Sequence, residues 1–316
     1  MQYRICMSVG QMDEAFEKMR KELEKIAAVD VADLSERDLA GYDIFIGKKL
    51  SPKMLATADK LKAIFAYKTG VDEFPLSELH ARNICLMNSH ADSEYIAEYA
   101  FGLSVSLTNR IAEFDKKMRR GVWHDTENPY WKSFFAMKVG LMGYGHIGRA
   151  VHRILERNNM DVYTIDRGHS YENITPLPSF AALCQTCDLL IFSLPKTPET
   201  DAVINRESLA LLRGKYIVNV GRSNCIDEEA LYNALKNGEL AGAANDTWRQ
   251  KPKNPFEKGI PSEYDFGALD NMILSPHQAM RVRDGHSRYV EDTTDKVIRY
   301  IQNGEKRDVV DLAKGY

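Results

Sequence analysis

The segment KVGLMGYGHIGRAVHRILERNN, residues 138–159, constrains this chain more than any other. An apolar run leads into a glycine turn, and the turn opens an amphipathic helical stretch. Gly143, Gly145 and Gly148 fall in the spacing G-x-G-x-x-G. The spacing alone says little; placed between a strand and a helix, it predicts a dinucleotide site. Gly143 permits the tight turn, Gly145 brings backbone close to a pyrophosphate with His146 and Ile147 beside it, and Gly148 lets helix and strand pack. The helix start then offers free N–H groups and partial positive charge to phosphate. The next apolar run, DVYTID, ends at Asp166. A carboxylate there meets the adenosine ribose hydroxyls and repels a 2′-phosphate, so NAD is expected rather than NADP. Arg167 is the neighbour that would accept such a phosphate.

Short apolar runs alternate with amphipathic segments along the whole chain. This rhythm predicts an α/β protein with parallel sheets covered by helices. With 316 residues, 44% of them hydrophobic, two domains are expected. SEYIAEYAFGLSVSLTNRIAEFDKKMRRG, residues 93–121, reads as one long helix and a natural crossing between domains. Ser51 and Asp227 read as helix caps, with Pro52 at a first helical position and Gly238 past a helix end. A net charge of −3 gives no nucleic-acid footprint, and the basic run at 116–120 reads as a solvated helix face. The amino terminus carries no signal-peptide pattern, and no apolar stretch has the length of a membrane span. Five scattered cysteines argue against a disulfide framework, and the lone pair Cys184 and Cys187 reads as buried packing rather than a metal site. The expectation is a cytoplasmic protein without a metal, a nucleic-acid partner or a membrane.

The stretch from Phe192 to Trp248 closely resembles the D-isomer-specific 2-hydroxyacid dehydrogenases, the group with phosphoglycerate, glycerate and D-lactate dehydrogenases. It carries P-x-T-x-x-T, N-x-x-R, D-E-x-x-L-x-x-A-L-x-x-G and G-A-x-x-D in order. KTGVDEFPL resembles the family's substrate loop, IAEYAFGLSVSLTNR its helix between domains, and SPHQAM its histidine motif. The resemblance implies two Rossmann/flavodoxin-like domains. A nucleotide domain at 93–280 is inserted into a discontinuous substrate domain at 1–92 and 281–316. It also implies a homodimer joined through the long helix and the following arm. The arm's Trp123, Tyr130, Trp131, Phe134 and Phe135 serve either that contact or internal packing.

Reduction of a ketone by hydride needs a polarised carbonyl, a held substrate carboxylate and a proton donor. By resemblance, Arg222 pairs with carboxylate and carbonyl oxygen, its fork suiting both. His277 is the acid/base, and imidazole titrates in the right range. The amides around Thr69, Gly70 and Val71 take the substrate carboxylate. Leu194, Pro195, Thr200, Val220 and Gly221 line the cofactor, and Asp246 contacts the nicotinamide carboxamide. His90, His124 and His286 match no motif and are read as surface or packing. The chain departs from the family at one place. Where the family reads D-V-F-x-x-E-P, with the glutamate bonded to the histidine, this chain reads DTWRQKP and puts Lys251 in the glutamate's place. A cation beside His277 disfavours its protonated form. Three readings stay open: Lys251 grips a second acidic group of the substrate, Glu257 or Glu263 replaces the carboxylate, or the protein is a catalytically weakened NAD-binding module.

Overall fold

In the computed structural model of the protein, residues 3–32, 38–123, 130–168, 171–250, 252, 259 and 261–316 are described. His124, Lys251 and Glu257, which carry expectations above, lie outside them. The chain divides into two compact units, Met1–Asp92 with Arg281–Tyr316, and Ser93–Met280.

The first unit contains β1 (Arg4–Ser8), α1 (Glu14–Glu24), β2 (Ala28–Ala32), β3 (Ile44–Ile46), α2 (Pro52–Thr57), β4 (Ala63–Phe65), α3 (Leu76–Ala81), β5 (Cys85–Met87) and a C-terminal helix, Gly285–Asn303. Its strands pair in parallel in the order β2-β1-β3-β4-β5, which is the flavodoxin order. All of β3 and β4 is buried, as a parallel sheet covered on both faces demands. Ser51 caps α2 through the Met54 N–H at 3.2 Å, and Pro52 follows at the first helical position. The C-terminal helix buries Lys296, whose ammonium lies 2.7 Å from Asp292 and from Asp308 and 2.8 Å from the Asn88 carbonyl.

The second unit contains α4 (Ser93–Thr108), α5 (Ile111–Arg119), β6 (Val139–Met142), α6 (His146–Arg157), β7 (Val162–Ile165), β8 (Thr175–Leu177), α7 (Phe180–Thr186), β9 (Leu189–Phe192), α8 (Arg206–Leu211), β10 (Tyr216–Asn219), α9 (Glu228–Lys236), β11 (Gly242–Asn245) and β12 (Met272–Leu274). The C-terminal helix of the first unit is therefore α10. All strands are parallel, in the order β12-β11-β10-β9-β6-β7-β8. Their carboxyl ends share one edge, and the order reverses between β6 and β9. That crevice is where open α/β sheets take ligands.

The single helix expected over 93–121 is two. Arg110 adopts a left-handed conformation, φ +56°, and separates α4 from α5. Its guanidinium forks onto Glu113, donates to the Tyr130 carbonyl at 3.0 Å and lies 4.8 Å from the Phe114 ring centre. These contacts reward the break, which hydrophobic periodicity alone does not reveal. Cys184 and Cys187 are buried in the core, and burial pushes each thiol up to about 12. They are packing groups, as expected. Among the described residues no helix is long and apolar enough to cross a membrane.

Candidate functional site

The glycine loop after β6 shows why each glycine is there. Gly143 has φ +98°, and a Cβ on it would stand 3.0 Å from the Ser193 carbonyl oxygen. A Cβ on Gly148 would stand 2.1 Å from the Gly143 carbonyl oxygen, so a side chain there would push α6 off the turn. Gly145 faces open space, with nothing within 4 Å of its Cβ position. It begins α6, whose first amides point outward as helix starts do. This is a cradle shaped for a phosphate, and it fits the dinucleotide. Tyr144 ties the loop to the helix behind it. Its hydroxyl lies 2.7 Å from Nδ1 of buried His152, and Nε2 of that ring lies 3.0 Å from the Asn173 carbonyl. A carbonyl only accepts, so Nε2 carries the proton and Nδ1 takes the Tyr144 hydrogen.

Asp166 stands exposed just past β7. One of its oxygens accepts the Gly168 N–H at 2.8 Å, while the Arg167 N–H donates to the Tyr171 hydroxyl at 2.7 Å. Across the switch point, Gly221 allows the end of β10 to approach the end of β9. A Cβ there would meet the Leu194 N and O atoms at 2.7 Å. Thr200 builds the adjacent loop from within, donating to the Pro195 carbonyl at 2.7 Å and accepting the Thr197 N–H at 2.9 Å.

Arg222 follows β10 directly and is half-buried. Asn219, fully buried, organises its backbone. Its amide donates to Asn245 Oδ1 at 2.9 Å and Thr247 Oγ1 at 3.0 Å, and its oxygen accepts the Gly221 N–H at 3.1 Å. His277 follows β12 in a left-handed conformation, φ +58°. Asp246, 1% exposed, holds the loop that carries it. Asp246 accepts the Ser275 hydroxyl, the Gln278 N–H at 2.8 Å and the Ala279 N–H at 3.2 Å. Arg222, Asp246 and His277 thus stand at the carboxyl ends of β10, β11 and β12, on the same edge as the glycine loop.

In the first unit, the Thr69 side chain is used internally. Its Oγ1 lies 2.8 Å from the Ser89 carbonyl and from an Asp92 carboxylate oxygen, and 3.0 Å from the Tyr289 hydroxyl. Burial and the Asp92 charge push the Tyr289 phenol well above its ordinary range, so it remains a donor. The Thr69 carbonyl accepts from Asn88 at 2.7 Å. Among the described residues the Gly70 and Val71 amides donate no hydrogen bond.

Residues 101–279 match the model of the D-isomer specific 2-hydroxyacid dehydrogenase, NAD binding domain. The chain belongs to that family. A glyoxylate reductase of Thermofilum pendens is 31% identical over 265 residues, 81% of this chain and 76% of that protein. A D-3-phosphoglycerate dehydrogenase of Haemophilus influenzae is 30% identical over 272 residues, 82% of this chain and 64% of that protein. A crystal structure of a Pyrococcus horikoshii protein aligns with a TM-score of 0.84 at 27% identity, covering 98% of this chain and 96% of that one. This D-2-hydroxyacid dehydrogenase carries the family's NAD-binding domain, and membership speaks for hydride transfer over the weakened module.

Sequence reasoning on this dehydrogenase missed the buried polar groups behind the site. Asn219, Tyr99, Trp248 and Ser275 hold the arginine and histidine loops without reaching into them. The available signal was an asparagine at the end of each of two apolar runs, YIVN and GAAN, where a buried strand end has no other use for one. Glu228 is another: it accepts the Arg249 N–H at 3.2 Å and the Ser262 hydroxyl at 2.6 Å. Glu263, a candidate to replace the family glutamate, accepts from the Gln250 amide at 3.4 Å.

Proposed function

We propose that the protein interconverts a small D-2-hydroxy acid and its 2-keto acid, with NAD as the hydride carrier. The observation that carries this reading is the placement of Arg222 and His277 on the sheet edge that also bears the glycine cradle. NAD, when bound, supplies or accepts the hydride at nicotinamide C4. Arg222 pairs its planar fork with the substrate carboxylate and carbonyl oxygen, which fixes the acid and draws electrons off the reacting carbon. His277 gives its proton to the oxygen during reduction and takes it back during oxidation. The Gly70 and Val71 amides of the first unit suit a carboxylate, so we assign residues 1–92 and 281–316 to substrate and 93–280 to cofactor. The first test is NADH consumption with glyoxylate, pyruvate and hydroxypyruvate. NADH that binds and is consumed with none of them contradicts the reading.

Asp166 is assigned to the adenosine ribose. Asp166→Ala is expected to weaken NADH binding about tenfold and to narrow the preference over NADPH, as read from dissociation constants by fluorescence titration. A wild-type protein that binds NADPH more tightly than NADH contradicts the assignment. Lys251 is assigned to the neighbourhood of His277 on sequence alone. A carboxylate there favours protonated His277, so Lys251→Glu is expected to move the basic limb of the reduction pH profile upward. An unmoved limb removes Lys251 from the site.

The working form is a homodimer. Phe134 belongs to the core at 1% exposure, but Trp123, Tyr130, Trp131 and Phe135 are exposed at 74%, 82%, 54% and 56%, as are Ile111 and Met118 on α5. A second copy covering these apolar side chains accounts for their exposure. Sedimentation of the wild type is expected to give twice 35.9 kDa, and Trp131→Glu with Phe135→Glu is expected to give monomer. A monomeric wild type contradicts the assignment. Five free cysteines accord with work in the reducing cytoplasm.

A further inference from the structure

Two loops of the first unit are laced together at the carboxyl edge of its sheet. β3 and β4 are paired neighbours. The Gly47 N–H, just past β3, donates to the Phe65 carbonyl at 3.1 Å, and the Leu50 N–H donates to the Glu73 carbonyl at 3.2 Å. The loop at 47–50 therefore runs beside the loop at 66–73. That second loop carries the Gly70 and Val71 amides, assigned above to the substrate carboxylate.

Lys48 stands at this junction. As a residue it is open to solution, and its ammonium lies 5.0 Å from the ring centre of buried Tyr67. The Tyr67 hydroxyl donates to the Ser8 carbonyl at 3.2 Å, which fixes the ring beneath the ammonium. Among the described residues Lys48 makes no hydrogen bond and no ion pair. The two acids whose charges reach it are committed elsewhere. Glu73 pairs with Lys68, while Asp13 lies 2.8 Å from His286 Nε2 and caps α1 through the Phe16 N–H at 3.0 Å. Partial burial and the Lys68 charge hold the Lys48 ammonium below the ordinary lysine range. The aromatic face returns part of the lost solvation. An anion arriving from solution would return the rest, through a charge-assisted hydrogen bond. The carboxylate of a keto acid is already taken by the amides and by Arg222. An anion that reaches Lys48 is therefore a second acidic group on the same molecule.

We propose that Lys48 determines the substrate class: it takes a second acidic group, carboxylate or phosphate, carried by the 2-keto acid beyond its reacting carbon. The proposal rests on the reaction assigned above. Two matched pairs test it. Oxaloacetate adds a carboxylate to pyruvate, and 3-phosphohydroxypyruvate adds a phosphate to hydroxypyruvate. In at least one pair the wild type is expected to show kcat/KM about tenfold or more higher for the member with the extra acid. The pair that responds tells carboxylate from phosphate. Lys48→Met is expected to lower that ratio about tenfold, through KM rather than kcat. Lys49→Met, which removes the neighbouring exposed charge, is expected to leave the ratio within about twofold of the wild type. A wild-type ratio near one in both pairs overturns the proposal, and so does a raised ratio that survives in Lys48→Met. A ratio that falls equally in Lys49→Met also overturns it, because the general charge of the loop is then the attractant. A wild type that reduces none of the four keto acids defeats the functional reading instead. Calorimetric titration of the NAD complex then decides on Lys48, with D-malate against D-lactate and 3-phospho-D-glycerate against D-glycerate. Tighter binding of an acid-bearing member, lost in Lys48→Met, supports the site, and equal affinities within both pairs overturn it.

Discussion

Replacing His277 by asparagine is expected to lower the rate of NADH-dependent keto-acid reduction by roughly 10²–10⁴-fold, the usual worth of a positioned acid. Asparagine is the informative choice because it tolerates left-handed backbone, and position 277 has φ +58°. The loop should keep its shape, since Asp246 still takes the Gln278 and Ala279 amides. Only the transferable proton is lost. NADH affinity should therefore hold while kcat collapses. The residual rate should also lose the part of its basic limb that titration of His277 supplies. Absorbance at the nicotinamide band under saturating keto acid measures this, and a variant within threefold of wild type would remove His277 from the chemistry.

Arg222→Lys is expected to cost about 10²-fold in kcat/KM, on the order of 3 kcal/mol of transition-state stabilisation. An ammonium keeps the charge and loses the fork that spans a carboxylate and a neighbouring carbonyl. The guanidinium donates to the Gly221 carbonyl at 3.2 Å, but Gly221 is also held by its packing against Leu194 and by its N–H to Asn219. The arginine's own backbone therefore does not depend on its side chain alone. A loss shared between KM and kcat, with NADH binding intact, is the expected pattern. Full activity in the lysine variant would place the carboxylate clamp elsewhere.

The parts of this molecule legible in its sequence are those in which one residue type answers one local demand. Gly148 is such a case, because a 2.1 Å approach excludes any side chain. The Ser51 and Asp227 caps are others. What escaped was decided by partners distant in sequence. β2 carries Asp30 in its middle, and the edge strand β8 carries Pro176, so neither reads as a strand until a neighbour pairs with it. The break at Arg110 depends on Tyr130, twenty residues later. The resemblance gives Asp246 to the cofactor amide, and what it does not reveal is that the carboxylate takes three donors from the histidine loop. Motif spacing could place the acid at a strand end, but only packing shows what it faces. The aromatics after α5 show the same limit. Composition flagged all of them alike, and the fold sends Phe134 inward while leaving Trp131 and Phe135 exposed.

The most direct measurement follows the hydride itself. The protein is incubated with NADH carrying deuterium at one face of C4, in separate runs for each face, and with pyruvate or hydroxypyruvate. The product acid is then analysed by mass spectrometry and chiral separation. The account predicts one deuterium at C2 of a D-hydroxy acid from one labelled face only, with transfer slowed in both Arg222→Lys and His277→Asn. NADH bound in the glycine cradle with no deuterium reaching any 2-hydroxy acid, or transfer undiminished in both variants, would contradict it.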